Sequence, residues 1–534
     1  MRYSPSLLAA VCFGTSAWAT SPVVNLGYAQ YQGAVNSTSH VTSFLGIRYA
    51  APPIGDLRFR APQPPLAMQE IQTATTQPAQ CMQAPVGANP SNPLSNTPQG
   101  VLRRTDAEVP VQSEDCLFLN VYYPSDASGN PPKKLLPTLV WIHGGGYILQ
   151  FPTFPDTHGE SIIQQSNRGV VVVLVQYRLG LFGFLPGAEV KTDGALNAGL
   201  RDQEYALRWV NEHIAKFGGD PDKVTIWGES AGAGSVLQHL VANNGRTEPQ
   251  LFRGAITSST FLPSQYHYND PIPEFLFSEV LNRTSCSNIA CLRAAPVDSL
   301  QAINMDLNLK GFFGTFVFVP VVDGDFITQP IIAALKEGKV NGRALLSVTN
   351  TFEGSIFVNT SAATSAREYA LDLFPEFRIA EANTVEKLYK GLGDDAFQDV
   401  ALHGESIFIC PTYYLLRAFQ QHAFKAEFAV GTGQHGLDLG YFWPSETSHP
   451  DTNSTAFINA FAQTFTSFAI NLDPNRKVSD TITPLWPKYT SGNRQEMLFN
   501  LTNEDTPDVR TIKTEDTLLR RCEFWEGVGN LTGQ

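Results

Sequence analysis

The pentapeptide Gly228-Glu229-Ser230-Ala231-Gly232 constrains this chain more than any other stretch. It follows the apolar run Val224-Thr225-Ile226-Trp227 and precedes a helix-compatible stretch from Ala233 to Val241. A serine on a sharp strand-to-helix turn is held in a strained conformation that presents its hydroxyl. A Cβ at either flanking glycine would collide with the neighbouring strand or helix. The pattern thus asks for a strand, a turn and a helix in close contact, and makes Ser230 a candidate nucleophile. Five residues are weak evidence in a Gly-rich chain, so the reading depends on what else the sequence supplies.

The surrounding periodicities agree with it. Val170 to Val175 is a continuous apolar run, as in a strand buried on both faces. Leu117–Tyr122 and Leu139–Ile142 are further strands. Leu200, Gln203, Leu207, Val210, Ile214 and Phe217 fall at helical spacings, and Phe217-Gly218-Gly219-Asp220-Pro221 ends that helix. Strands alternating with helices imply a large, mostly parallel central sheet flanked by helices, an α/β fold. Residues 23–60 alternate apolar and polar with turns between, which reads as antiparallel strands at an edge of a sheet. Residues 82–113 are turn-rich and read as a long surface loop. No linker divides residues 20–534, which are expected to form a single catalytic domain.

Residues 1–19 read as a signal peptide: Arg2, an apolar stretch from Leu7 to Phe13, and Ala17-Trp18-Ala19 as the cleavage pattern. The mature chain would begin at Thr20 and be secreted. No later apolar run reaches the ~18 residues of a membrane span, so no membrane anchor is expected. A net charge of −13 without basic blocks excludes nucleic acid as a partner. Cys12 leaves with the signal. Cys81, Cys116, Cys286, Cys291, Cys410 and Cys522 remain, an even set that suits disulfides in an exported chain. Their spacing matches no zinc site, and no metal or cofactor is expected. Asn36, Asn282, Asn359, Asn453, Asn500 and Asn530 stand in glycosylation sequons. The sequence sets no oligomeric state.

A serine needs an adjacent base, and acyl transfer needs donors aimed at the developing oxyanion. The segment His143-Gly144-Gly145-Gly146-Tyr147, directly after a strand, lets successive N–H groups face one cavity without side chains in the way. The N–H of Ala231 would complete such a hole. The base should be a late histidine. His403, His422, His435 and His449 are available, and the pattern favours His435, which follows the strand Glu427–Val430 and a glycine turn. The orienting acid should lie between nucleophile and base. Glu353, after the strand Leu345–Asn350, is favoured over Asp323 and Asp325.

These residues resemble the type-B carboxylesterases, the family of cholinesterases and secreted fungal lipases and esterases. The likeness runs through Phe44–Ala50, Gly55–Phe59, Ser113–Val121, His143–Gly146, Gly199–Gln203 and Phe217–Gly232. It implies the α/β-hydrolase fold and a small-molecule ester substrate. It also implies a Ser230, Glu353, His435 triad and an oxyanion hole from Gly145, Gly146 and Ala231. It further implies the bridges Cys81–Cys116, Cys286–Cys291 and Cys410–Cys522, and an ion pair between Arg58 and Glu114. The text Ala255–Phe261 departs from the family where the acyl pocket is lined, so substrate preference does not carry over. An esterase for soluble, medium-sized substrates is favoured over an interfacial lipase or sterol esterase, and over a silent adhesion protein.

Overall fold

The computed structural model describes residues 21–91, 111–150, 158–443, 450 and 452–534. The expected signal peptide, most of the long loop and His449 lie outside the described residues. An 11-stranded sheet carries the protein. In chain order its strands are β1 (Ala34–Asn36), β2 (Val41–Arg48), β3 (Phe118–Pro124), β4 (Leu136–Ile142), β5 (Val171–Val175) and β6 (Gly219–Glu229). They continue with β7 (Gly254–Ser258), β8 (Ala344–Asn350), β9 (Ala423–Phe428), β10 (Gln495–Leu501) and β11 (Pro507–Lys513). Their spatial order is β11-β10-β9-β8-β7-β6-β4-β5-β3-β2-β1. From β5 through β10 neighbours run parallel, and the pairs at the two edges are antiparallel.

The antiparallel strands expected in residues 23–60 divide between two sheets. Val23–Asn25 and Gln30–Gln32 pair antiparallel and, with Ile71–Thr73, form a separate 3-stranded sheet. The chain changes sheet at Gly33, whose backbone crosses so close to β2 that a Cβ there would stand 2.6 Å from the Ser43 carbonyl oxygen. β1 and β2 form the antiparallel edge of the large sheet.

The helices used below are α1 (Ala198–His213), α2 (Ala231–Gly245), α3 (Asp395–Gly404), α4 (Cys410–Phe419), α5 (Thr455–Asn471) and α6 (Asp516–Gly527). α1 tightens into a 3-10 turn to Phe217 and stops at Gly218, φ 79°. α2 is helical to Val241, then passes through non-helical backbone at Ala242–Asn244. One π-helical turn, Glu405–Ile409, joins α3 to α4. Among the described residues, no helix is long and apolar enough to cross a membrane.

Alternation along each parallel strand sends side chains to both faces. Leu139 and Trp141 of β4 share one apolar cluster with Trp227 and the phenylalanines of α5, where Trp227 stacks on Phe465 at 4.6 Å. Val140 and Ile142 share the opposite cluster with Ile226 and with Val236 and Leu240 of α2. Each such fully buried side chain contributes about 2 kcal/mol. Because both faces are covered, these strands read as continuous apolar runs.

Two buried ion pairs fix the loops around the sheet. Arg178 holds Asp202 of α1 through Nε and Nη2, at 2.7 and 2.6 Å. The Arg58–Glu114 pair is present and two-pronged, with both contacts at 2.6 Å. Three disulfides close Cys81–Cys116, Cys286–Cys291 and Cys410–Cys522, over sequence separations of 35, 5 and 112 residues. The last ties the start of α4 to α6. Loop closure makes the long bridge worth about 5 kcal/mol and the short one about 2. Removing Cys410–Cys522 by double Ser substitution is therefore expected to lower the Tm by more than removing Cys286–Cys291. Thermal unfolding of both variants checks the ranking, and equal losses would refute it.

Candidate active site

Gly145, Gly146, Ser230, Ala231, Glu353 and His435 all follow the carboxyl ends of parallel strands, where an α/β sheet opens its crevice. Ser230 joins β6 to α2 with φ 55° and ψ −124°, a backbone region that ordinary side chains avoid. Packing holds it there. A Cβ on Gly228 would lie 2.2 Å from the Gly232 carbonyl carbon, and one on Gly232 would lie 2.1 Å from the Ile142 carbonyl oxygen of β4. The Ser230 N–H donates to the Ser258 carbonyl of β7 at 2.9 Å. Its side chain caps no helical amide and makes no hydrogen bond among the described residues. The residue is 6% exposed.

The glycine segment after β4 turns back beside the elbow. Gly145 and Gly146 take φ values of 103° and 62°. A Cβ on Gly145 would reach within 2.1 Å of the Leu149 carbonyl oxygen, and one on Gly146 within 2.0 Å of the Phe316 ring. Only glycine fits either position. The N–H groups of Gly145 and Gly146 meet no protein acceptor among the described residues, while their neighbours Ile148 and Leu149 donate to the Gly145 carbonyl. Ala231 opens α2, so its N–H is one of the amides that a helix leaves unused at its positive end. His143, just before the glycines, stacks on Tyr177 at 4.3 Å. Burial lowers its pKa to about 4, so it is neutral.

His435 and Glu353 meet at the ends of β9 and β8. His435 Nδ1 lies 2.6 Å from Glu353 Oε2. Glu353 Oε1 accepts from Ser259 Oγ at 2.7 Å and from the Asn350 N–H at 2.6 Å. Oε1 is thus fixed by donors on β8 and the segment after β7, and Oε2 faces His435. Nε2 of His435, the nitrogen left for a neighbouring hydroxyl, lies 3.2 Å from Glu229 Oε1. Glu229 precedes Ser230 directly, so the imidazole and the elbow share one small volume. Gly144 is packed against the same group: a Cβ there would stand 2.7 Å from Glu229 Oε2 and 3.1 Å from the Ser230 Cβ.

Of the other candidates, His403 is buried in α3 and His422 lies in a 3-10 turn after α4. Asp323 bonds Asn197, and Asp325 pairs with Arg201. None of them meets His435. The pattern missed four polar neighbours of the pair: Glu229, Ser259, Asn350 and Asp438. Glu229 was visible inside the pentapeptide, and Asp438 stands three residues after His435. Nothing local marked Ser259, whose role comes from the β7–β8 pairing.

Three buried carboxyls surround one imidazole. Burial among Asp438 and Glu353 raises the Glu229 pKa to about 8 against the pull of His435. Burial also raises Asp438 to about 6, opposed by its hydrogen bond from Asn350. For His435, burial is the largest single influence and pulls downward. The charges of Glu229 and Glu353, the Glu353 bond and Asp438 together outweigh it, and the pKa is raised. The imidazolium is favoured where a transferred proton would sit.

An aromatic wall closes the side away from the acids. Phe408 and Phe357 lie 4.5 and 5.0 Å from the His435 ring, Phe261 lies 5.4 Å from Phe408, and Phe316 lies 5.5 Å from Phe261. Beyond Phe261 and Phe316 opens a cavity of about 350 Å³, lined mainly by apolar side chains. Among the described residues no cluster of His, Cys, Asp or Glu is arranged to hold a metal ion.

Comparison with known proteins gives one answer. Residues 20–525 match the carboxylesterase family. Lipase 4 of Diutina rugosa is 32% identical over 492 residues, covering 85% of this chain and 87% of its own. A secreted lipase of Arthroderma benhamiae is 30% identical over 431 residues, covering 77% and 82%. The crystal structure of Aspergillus niger EstA superposes with a TM-score of 0.82 at 30% identity, over 96% of this chain and 99% of that one. The fold is the α/β-hydrolase fold of these neighbours. This chain belongs to the carboxylesterase family and is a carboxylic ester hydrolase.

Proposed function

We propose that the chain is a secreted serine esterase in which Ser230 is the nucleophile, His435 the base and Glu353 the acid that orients it. The observation that carries this is the 2.6 Å His435–Glu353 bond beside a serine held at φ 55°. As Ser230 Oγ bonds to the ester carbonyl carbon, its proton passes to His435 Nε2. The N–H groups of Gly145, Gly146 and Ala231 hold the oxyanion, aided by the positive end of α2. Collapse breaks the carbon–alcohol bond, and the imidazolium protonates the leaving oxygen. Water then repeats the sequence on the acyl-enzyme and frees Ser230. Glu229, 3.2 Å from Nε2, adds to the stability of a charged imidazole when it is itself ionised.

The favoured substrates are soluble, medium-sized esters, in keeping with a largely apolar cavity of about 350 Å³. Cleavage of insoluble lipid esters is the second reading, supported by the relatives named lipase. In the secreted reading the mature chain begins at Thr20. The sequon side chains of Asn282, Asn359, Asn453 and Asn530 are exposed, which favours them for glycosylation. Asn500 is half-buried, and Asn36 directs its amide to Glu160 at 3.1 Å.

Ser230→Ala is expected to cut kcat by ~10⁴-fold or more and to abolish labelling by a fluorophosphonate. Activity and labelling near the parent level would reject Ser230. Across p-nitrophenyl esters of rising chain length, activity is expected to show no jump at the solubility limit; a sharp rise there would make the protein a lipase.

The acid limb of kcat/KM carries a second test. A base works only when neutral, and the raised His435 pKa places its loss of activity, as pH falls, above the usual 6.5. Glu229 is raised to about 8 and so is largely protonated across that limb; Glu229→Gln, which copies the neutral acid, is expected to leave the limb in place. A limb that moves to lower pH would show that Glu229 is ionised beside His435.

A further inference from the structure

The cavity behind Phe316 is mainly apolar, and among the few polar side chains that line it one imidazole lies next to the reacting centre. His403, on α3, lines it and is 3% exposed. Its Nδ1 lies 2.9 Å from the Tyr369 hydroxyl, and Nε2 has no protein partner among the described residues. That hydroxyl has no other partner there either. A buried O–H seeks an acceptor, so Tyr369 donates to Nδ1 and the ring proton stands on Nε2. Burial, with a smaller push from the nearby His435, lowers the His403 pKa to about 3, which keeps the ring neutral. His403 stacks on Phe357 at 5.3 Å, and Phe357 meets His435 at 5.0 Å. The donor is therefore one ring away from the reacting centre.

Charge does not rival it as a selector. The cations at the cavity rim are already paired: Arg283 with Glu279 and Asp306, and Lys310 with Asp306 at 2.7 Å. A carboxylate entering the apolar interior would lose its hydration and meet no unpaired cation among the lining groups. An uncharged oxygen loses less and gains the Nε2–H bond. Phe316 touches both the Gly146 turn and the cavity, so an arm of a bound ester passes beside its ring to get there.

We propose that His403 is a specificity-determining donor that selects esters whose apolar arm carries an uncharged hydrogen-bond acceptor: a keto, ether or second ester oxygen. This rests on Ser230 being the nucleophile, and it deepens that reading by naming a substrate class. The test compares p-nitrophenyl octanoate with mono-oxo analogues in which the ketone is moved along the chain. In the parent protein one position is expected to be preferred. In His403→Phe the ratio of its kcat/KM to that of octanoate falls ~3–10-fold, the worth of one neutral hydrogen bond. His403→Gln, which keeps a neutral donor, retains part of the preference. Hydrolysis of p-nitrophenyl acetate, too short to enter the cavity, stays within about twofold and reports correct folding. An unchanged ratio in His403→Phe overturns the proposal, as does an equal loss on acetate and octanoate. Calorimetry with a long-chain methyl ketone on Ser230→Ala and Ser230→Ala/His403→Phe makes the same comparison without turnover. Inactivity of the parent protein would then sink the triad reading, whereas equal ketone affinity would sink only this one.

Discussion

The close approach of α2 to the ends of β4 and β6 is the constraint on which the site depends. With hydrogen in place of a side chain at Gly228 and Gly232, the helix starts directly against the sheet. That contact leaves Ser230 no ordinary backbone conformation. It also brings the first amides of α2 beside the glycine turn after β4. The strain at Ser230 is sustained by the packing of Trp227 and Ile226 into opposite cores and by the N–H bond to Ser258. Strain of ~1–3 kcal/mol is small against that burial.

A second dependence is electrostatic. Placing Glu229, Glu353 and Asp438 around one imidazole inside apolar walls costs desolvation for each group. The fold offsets it by giving Glu353 three donors and Asp438 the Asn350 amide, while Glu229 and Asp438 each retain an oxygen without a partner among the described residues. Glu353 both fixes where the ring points and favours its charged form.

Much of this was legible in the sequence because it follows from local pattern. The run Val170–Val175 is a β strand because parallel strands are buried on both faces. The glycines of the pentapeptide and of residues 144–146 announced close backbone approaches. His435 and Glu353 could be favoured from their places after strands, but their meeting depends on β8 and β9 being neighbours, which no local signal fixes. Ser259 was hidden for the same reason, since it reaches Glu353 only through the pairing of β7 with β8. Alternation marked the N-terminal strands but not their partners; Gly33 divides them between two sheets. His403 was passed over as the base, and it packs on Phe357. Its second aspect appears only when the cavity on the other side is seen.

On the proposed reading, catalysis and selection are carried by different parts of the chain. The elbow, the glycine turn and His435 follow β6, β4 and β9 of one sheet. Phe316, Phe357, Tyr369 and His403 come from helices and loops outside that sheet. Their side chains meet the reacting centre only through ring contacts with His435 and through the Gly146 turn. Substitution in that layer changes which ester arm is accommodated while leaving the hydrogen bonds of Glu353 and His435 intact. The sheet specifies the bond that is broken, and the aromatic layer specifies the molecule that contains it.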